Sequence, residues 1–295
     1  LSRIEPARAL RAIAEEWAGV ACAVAVSMAL PHPLVYLLAV VFIGARQHAM
    51  LVIAHDAAHH RLLPGRVAND LVANLLLSWP TFASVQLFRR FHAPHHRFLG
   101  AAEDGNRELW STHDAEGRPT AEWTYPKTRA GLLWKIGRRG ALWTGLWWVV
   151  RGSVGDLWLG GSRGERALHA VWMVAVAVAL TAAGGWGGFL WYWIVPYSTW
   201  HIVAQYSRLI SEHSEVSGAG VWGVTRTTIP TAWERLLLLP RNIGYHIEHH
   251  WFPSVPFYRL PELHAWLAEQ PEFAANAVVS RSLVGSLASV TTARA

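Results

Sequence analysis

With 295 residues, 52% of them hydrophobic and eighteen of them tryptophan, the chain is long enough for one large domain and more apolar and aromatic than a soluble core requires. Its formal charge of +6 is not gathered into a basic low-complexity tail, which argues against a nucleic-acid partner. The single cysteine, Cys22, excludes a disulfide framework or thiolate metal site within the chain.

The first eleven residues carry Arg3, Arg8 and Arg11, but no small-residue cleavage site closes a short apolar core, so no cleavable signal peptide is expected. Residues 17–45 and 167–207 contain no Asp, Glu, Lys or Arg. A bilayer crossing needs roughly 20 apolar residues. The first stretch therefore predicts spans over about 9–30 and 33–54, turning at Pro31-His32-Pro33, with Glu15 and Glu16 at the interface and Arg46 snorkelling to the surface. The second predicts spans over about 167–184 and 188–208, broken at Gly184-Gly185-Trp186-Gly187-Gly188.

Residues 67–88 are apolar enough to suggest a further span. Asn69, Asp70, Asn74 and Pro80 argue instead for an interfacial or re-entrant helix. Residues 132–150 mix Trp134, Trp143, Trp147 and Trp148 with Lys135, Arg138 and Arg139, the pattern of an in-plane amphipathic helix. After Pro271 the sequence carries little readable signal. The predicted fold is an all-α integral membrane protein, one domain over 1–295. It has four transmembrane helices in two hairpins, interfacial amphipathic helices and a cytoplasmic histidine-box cap. Both hairpin turns are uncharged and the basic residues lie at the opposite ends, so both termini and the long connections are expected on the cytoplasmic side. The heavy excess of arginine over lysine suggests a bacterial cytoplasmic membrane.

Nine of the sixteen histidines fall in three clusters near the apolar segments: His55-Asp-Ala-Ala-His59-His60, His92-Ala-Pro-His95-His96 and His246-Ile-Glu-His249-His250. Imidazole is a common ligand for transition metals. Nine imidazoles exceed one tetrahedral site and suit two octahedral ions. His55 and His59 share a helix face, whereas His60 turns away from it. In the other two clusters the i, i+3 pair is expected to serve one metal and the adjacent histidine a second. Pro94 disfavours a helical Ala93, so the second cluster is expected at a helix boundary. Asp56, Glu212 and Glu248 are candidates to accept the other N–H of ligand rings. Asn242 is a candidate for a metal-bound water or a helix cap, and Asp104 and Arg107 for orienting the loop after the second cluster. His32, His48, His113, His169, His201 and His264 read as ordinary hydrogen-bonded groups.

The three clusters resemble the histidine boxes of the membrane fatty acid desaturase and hydroxylase superfamily. The run Asn242-Ile-Gly-Tyr-His-Ile-Glu-His-His-Trp-Phe-Pro-Ser-Val-Pro is especially similar to that family's third box. The resemblance covers about His55 to Leu263. It implies two iron ions in a non-haem di-iron centre, dioxygen as co-substrate and an external electron donor, a ferredoxin or a b-type cytochrome. It also implies a further ligand near the cytoplasmic end of the fourth span, where His213 stands, with His201 as its rival. The expected reaction is oxidation of an unactivated C–H in a membrane lipid, first of all fatty acyl desaturation. Carotenoid or other lipid hydroxylation or ketolation is the alternative. Outside enzymology the rival is a membrane metal transporter, which would place its ligands nearer the bilayer midplane. A zinc hydrolase would need only three ligands.

Overall fold

The computed structural model describes residues 1–101, 103–104, 126–216 and 220–291; Arg107 and His113 lie outside them. Two compact units are present. One comprises Glu5–Phe88 and Arg139–Val203, the other Leu1–Ile4, Arg89–Arg138 and Ala204–Ala295.

The first unit begins with the hairpin of α1 (Pro6–Ala29) and α2 (Pro33–Ala58). Both helices start on proline, whose missing N–H is no loss in a first turn. At the turn His32 accepts a hydrogen bond from the Leu34 N–H at 3.2 Å and caps α2. α2 does not stop at residue 54 as expected but runs to Ala58, since no Pro or Gly interrupts His55-Asp-Ala-Ala. Box one therefore lies at its end: His55 is inside the helix, His59 is the C-cap, and His60 follows with a left-handed φ of 57°.

Arg46 does not snorkel to the surface; it turns inward to Glu16. Glu16 is fully buried, with its carboxylate 3.1 Å from Arg46 Nη1, and the guanidinium sits 5.0 Å over Phe42. Each charge compensates the other across the hairpin, where an isolated one would be poorly solvated. Arg46→Leu is expected to destabilise the protein by about 3–5 kcal/mol, because it leaves Glu16 buried without its cation. Thermal unfolding in detergent would register the loss. Glu16→Leu combined with Arg46→Leu should recover most of it.

Between Arg66–Thr81 and Val85–Arg97 the chain turns by 92°, the form of a broken span or a re-entrant loop. This stretch contains α3 (Arg66–Ala73) and α4 (Val85–Arg97). Phe82 takes a left-handed φ of 57° at the bend. Asn74 Oδ1 accepts from the Val85 N–H at 3.0 Å and so closes the corner. The expected single helix over 132–150 is two: α5 (Arg129–Arg139) and α6 (Leu142–Leu159), separated at Gly140-Ala141. α6 packs through glycine, since a Cβ on Gly145 would stand 2.1 Å from Ser198 Cα and one on Gly152 2.1 Å from the Phe82 carbonyl oxygen. Trp143, Trp147, Val150, Val154 and Trp158 of α6 are exposed. Its buried Asp156 receives the Ser84 hydroxyl and pairs with His169 Nδ1 at 2.5 Å, while His169 stacks on Trp79.

α7 (Arg163–Ala182) starts in a capping box made by Ser162 and Glu165. It ends at Gly184, whose φ is 62°. Residues 186–213 are then helical throughout, from α8 (Trp186–Phe189) to α9 (Ile202–His213), with π turns at Leu190–Ile194 and Tyr197–His201 around Pro196, which has no N–H to donate. Gln47 Nε2 donates to the Trp193 carbonyl at 2.9 Å there. Among the described residues α1, α2 and α7 are long and apolar enough to cross a bilayer, and the bent pair makes a fourth if it counts as one span. The protein is an all-α integral membrane protein.

The second unit holds boxes two and three. β1 (Thr227–Thr228) pairs in parallel with β2 (Val279–Ser280). Around this pair lie α10 (Ala232–Leu237), α11 (His246–Trp251), α12 (Leu260–Ala268), α13 (Pro271–Asn276) and α14 (Leu283–Ser289). Tyr245, Ile247, Val255, Leu260, Leu263, Leu267 and Phe273 form one core, and Leu132, Tyr206, Ile210 and Val290 another. The described residues after Pro271, up to Thr291, are thus folded. Leu283, Leu287 and Val290 stand at i, i+4 and i+7, a helical period too short to read as an element, and Phe273 lies alone among small residues.

Candidate metal centre

Box two occupies the last turns of α4, and Pro94 lies inside the helix, not at its boundary. The chain continues helically because Pro94 forfeits only one internal hydrogen bond, while its own carbonyl still accepts from the Phe98 N–H at 2.8 Å. Box three opens α11 after Tyr245 as N-cap.

The rings of the two boxes sort differently from the expected i, i+3 pairing. His92 and His96 go with His249; His95 goes with His213, His246 and His250. Within each box the i, i+4 pair shares one group and the remaining histidine joins the other. On a helix, residues four apart differ by only about 40° and residues three apart by about 60° in the opposite sense. The tighter alignment wins.

In the four-ring group the ligand atoms lie within 4.8 Å of one another. Nε2 of His246 is 3.0 Å from Nε2 of His213 and 3.1 Å from Nε2 of His250. In the three-ring group Nε2 of His96 is 3.0 Å from Nε2 of His92 and 2.9 Å from Nε2 of His249. Bringing so many lone pairs together is unfavourable unless a cation or proton lies between them. With metal–nitrogen bonds of about 2.1 Å, adjacent octahedral ligands stand about 3.0 Å apart. The donor sets therefore fit metal ions. Burial holds His213 in its neutral, ligating form and lowers its pKa to about 3, helped by the neighbouring His95. Burial likewise lowers His246 and His250 well below the usual imidazole value.

The Nδ1 atoms of His95 and His213 face outward onto hydrogen-bond partners, as ligand rings require. His95 Nδ1 is 2.8 Å from Asp104 Oδ1, whose other oxygen accepts the Gly100 N–H at 3.1 Å. His213 Nδ1 donates to the Val224 carbonyl at 2.8 Å. His246 Nδ1 and Glu212 Oε1 face each other at 3.6 Å, both buried and neither within hydrogen-bond distance of a partner. Glu212 is raised to about 7 by burial, offset in part by Arg208, whose Nε is 3.2 Å from Oε2.

Other candidates stand elsewhere. Glu248 is fully buried, but its carboxylate accepts the Thr227 hydroxyl at 2.6 Å and pairs with His264, so it does not orient a ring of either group. Asn242 is not a helix cap; with φ of 60° it donates to the Phe257 carbonyl at 3.1 Å and shapes the turn before box three. In the first unit the ring centroids of His55 and His59 lie 5.1 Å apart, His60 Nδ1 is 3.8 Å from Asp70, and Asp56 is buried. His201 stacks on Tyr197 within the apolar unit. Val224, Arg226 and Thr227, which bear on the second unit's rings, carry no sequence signal because their contacts join segments distant along the chain.

Residues 31–282 match the family model described as fatty acid desaturase. A dihydrorhizobitoxine desaturase of Bradyrhizobium elkanii is 26% identical, over 93% of this chain and 80% of its own length. A human sphingolipid delta(4)-desaturase/C4-monooxygenase is 30% identical over 75% of this chain and 62% of its own. An omega-3 fatty acid desaturase of Caenorhabditis elegans is 24% identical over 77% and 59%. For the last two, this chain accounts for less than two thirds of the relative. Membrane helices, converging histidine boxes and a family match over most of its length lead to one conclusion: the chain belongs to the fatty acid desaturase family of oxidoreductases.

Proposed function

We propose that the protein uses dioxygen and two iron ions held by its histidine boxes to desaturate a fatty acyl chain of a membrane lipid. The observation that carries this reading is the double convergence of ring nitrogens, three from one group and four from the other, with the outward Nδ1 of His95 paired to Asp104 and that of His213 to the Val224 carbonyl. His95, His213, His246 and His250 would hold one ion, and His92, His96 and His249 would contribute to the other. Box one, with His55, His59 and His60, joins through its likeness to the family's first box. When bound, two irons supply the reducing power toward dioxygen and the hydrogen abstraction that an unactivated methylene requires. The residues of the chain do the remaining work. Asp104, Glu212 and the Val224 carbonyl fix ring orientation, and Asp56 is proposed to do the same for box one. Burial keeps His213, His246 and His250 neutral and excludes water.

Desaturation takes one hydrogen from each of two adjacent carbons. Dioxygen leaves as two waters, so two electrons and two protons must enter from outside. A ferredoxin or b-type cytochrome is assigned as the donor. The distribution of basic residues supports a cytoplasmic position for the boxes and both termini, and the excess of arginine over lysine supports a bacterial membrane. A second reading is hydroxylation or ketolation of a carotenoid or other lipid; its hydroxylation branch is supported by the relative whose name joins desaturase to monooxygenase.

Mass spectrometry of total lipids from cells with and without the protein tests the choice. New acyl unsaturation without new hydroxyl or keto products is the expected result. Oxygenated products alone would establish the second reading, and an unchanged lipid profile with metal uptake into vesicles would favour transport.

A further inference from the structure

Residues 224–228 run between the two elements that supply three of the four imidazoles in the larger ring group. The Val224 carbonyl takes the His213 Nδ1–H. The Arg226 N–H donates to the Glu212 carbonyl at 2.9 Å. The Arg226 guanidinium is buried and closes the C-terminal end of α9: Nη1 donates to the Ser211 carbonyl and the Ser286 hydroxyl, Nη2 to the Ser214 and Glu215 carbonyls. Those carbonyls lack helical partners, and a cation there also suits the helix dipole. One residue on, the Thr227 hydroxyl donates to Glu248 Oε2 at 2.6 Å and accepts the Ile247 N–H at 3.3 Å. The next N–H, of Thr228, donates to the Gly244 carbonyl at 2.7 Å. α9 and α11 are thus tied to one strand by consecutive residues, one facing each helix.

We propose that Arg226 and Thr227 are positioning residues that hold His213 on α9 and His246 and His250 on α11 at the spacing one metal ion needs. Neither touches a ring; Arg226 acts through the end of α9 and Thr227 through Glu248 and Ile247. The tie explains why the Glu of box three points away from the rings. Its carboxylate is the handle by which β1 grips α11, and His264 closes its other side. The inference rests on the metal-centre reading above.

The test uses the full-length protein purified in detergent, with iron per chain measured by elemental analysis, iron release to a chelator followed in time, and folding checked by circular dichroism and thermal unfolding. Thr227→Val keeps the volume and removes the hydroxyl; Thr227→Ser keeps the hydroxyl. Thr227→Val is expected to retain helical content, lose one of two irons and release the affected one at least about tenfold faster, the scale on which partners of ligand residues act. Thr227→Ser should behave as wild type. Arg226→Lys, which keeps the charge but not the fork, should give the same selective loss, and serves if Thr227→Val does not fold. Wild-type release kinetics and iron content in both Thr227→Val and Arg226→Lys would overturn the inference. So would equal loss of both irons without rescue by serine. A wild-type protein that binds no iron would overturn the metal-centre reading first, and the inference with it.

Discussion

His249→Ala and His95→Ala are each expected to remove one iron and to lower turnover by more than the roughly 100-fold that loss of an outer partner costs. The two variants strike different ring groups. His249 stands with His92 and His96, and His95 with His213, His246 and His250. Each should therefore leave one iron bound, and the residual irons should differ in spectrum. Combining the two substitutions should remove both. If His249→Ala and His95→Ala leave the same iron behind, the division into two groups is wrong. Glu212→Gln gives the graded control. It keeps the size of the group facing His246 Nδ1 but not its charge, and should weaken iron retention by about 10–100-fold while leaving one ion untouched.

How the rings divide was the part of the site that spacing alone misjudged. The histidines themselves were legible, because three dense imidazole clusters beside charge-free stretches have few other uses. Their pairing was not, since a difference of about 20° between i+3 and i+4 on a helix decides it and the partner rings come from other elements. His213 was legible only through resemblance to the family. Asp104 reads from sequence as a loop-shaping residue, while its bond to His95 is a contact that spacing does not reveal. The membrane helices were visible as apolar runs. The end of α2 was misplaced because apolarity ends before helicity does, and His55 to Ala58 are helical without being lipid-like. The Glu16–Arg46 pair was hidden for a different reason. Each charge looks interfacial when read singly, and only the antiparallel packing of α1 on α2 brings them within 3.1 Å.

Gly244→Ala is expected to be among the most damaging single-methyl changes in the chain. A Cβ at Gly244 would stand 2.1 Å from the Thr228 carbonyl oxygen, a backbone atom that cannot rotate aside. The same two residues are joined by the Thr228 N–H to Gly244 carbonyl bond, so relief of the clash means moving β1 away from the turn that opens box three. Overpacking of this kind costs about 1–3 kcal/mol and sometimes more, and here the displacement falls two residues before His246. Loss of stability and loss of iron from the four-ring group should therefore appear together, as lower melting temperature and lower iron per chain. Gly187→Ala supplies the opposite sign. It lies in a helical turn with open space around its Cβ position, and alanine there gains up to about 1 kcal/mol of helix propensity. Two glycine-to-alanine changes would then move stability in opposite directions, for reasons that lie in what each methyl meets and not in the glycine itself. A Gly244→Ala protein with wild-type melting temperature and full iron would show that β1 and the box-three turn can separate without disturbing the rings. The contact through Thr228 would then carry no weight in holding box three.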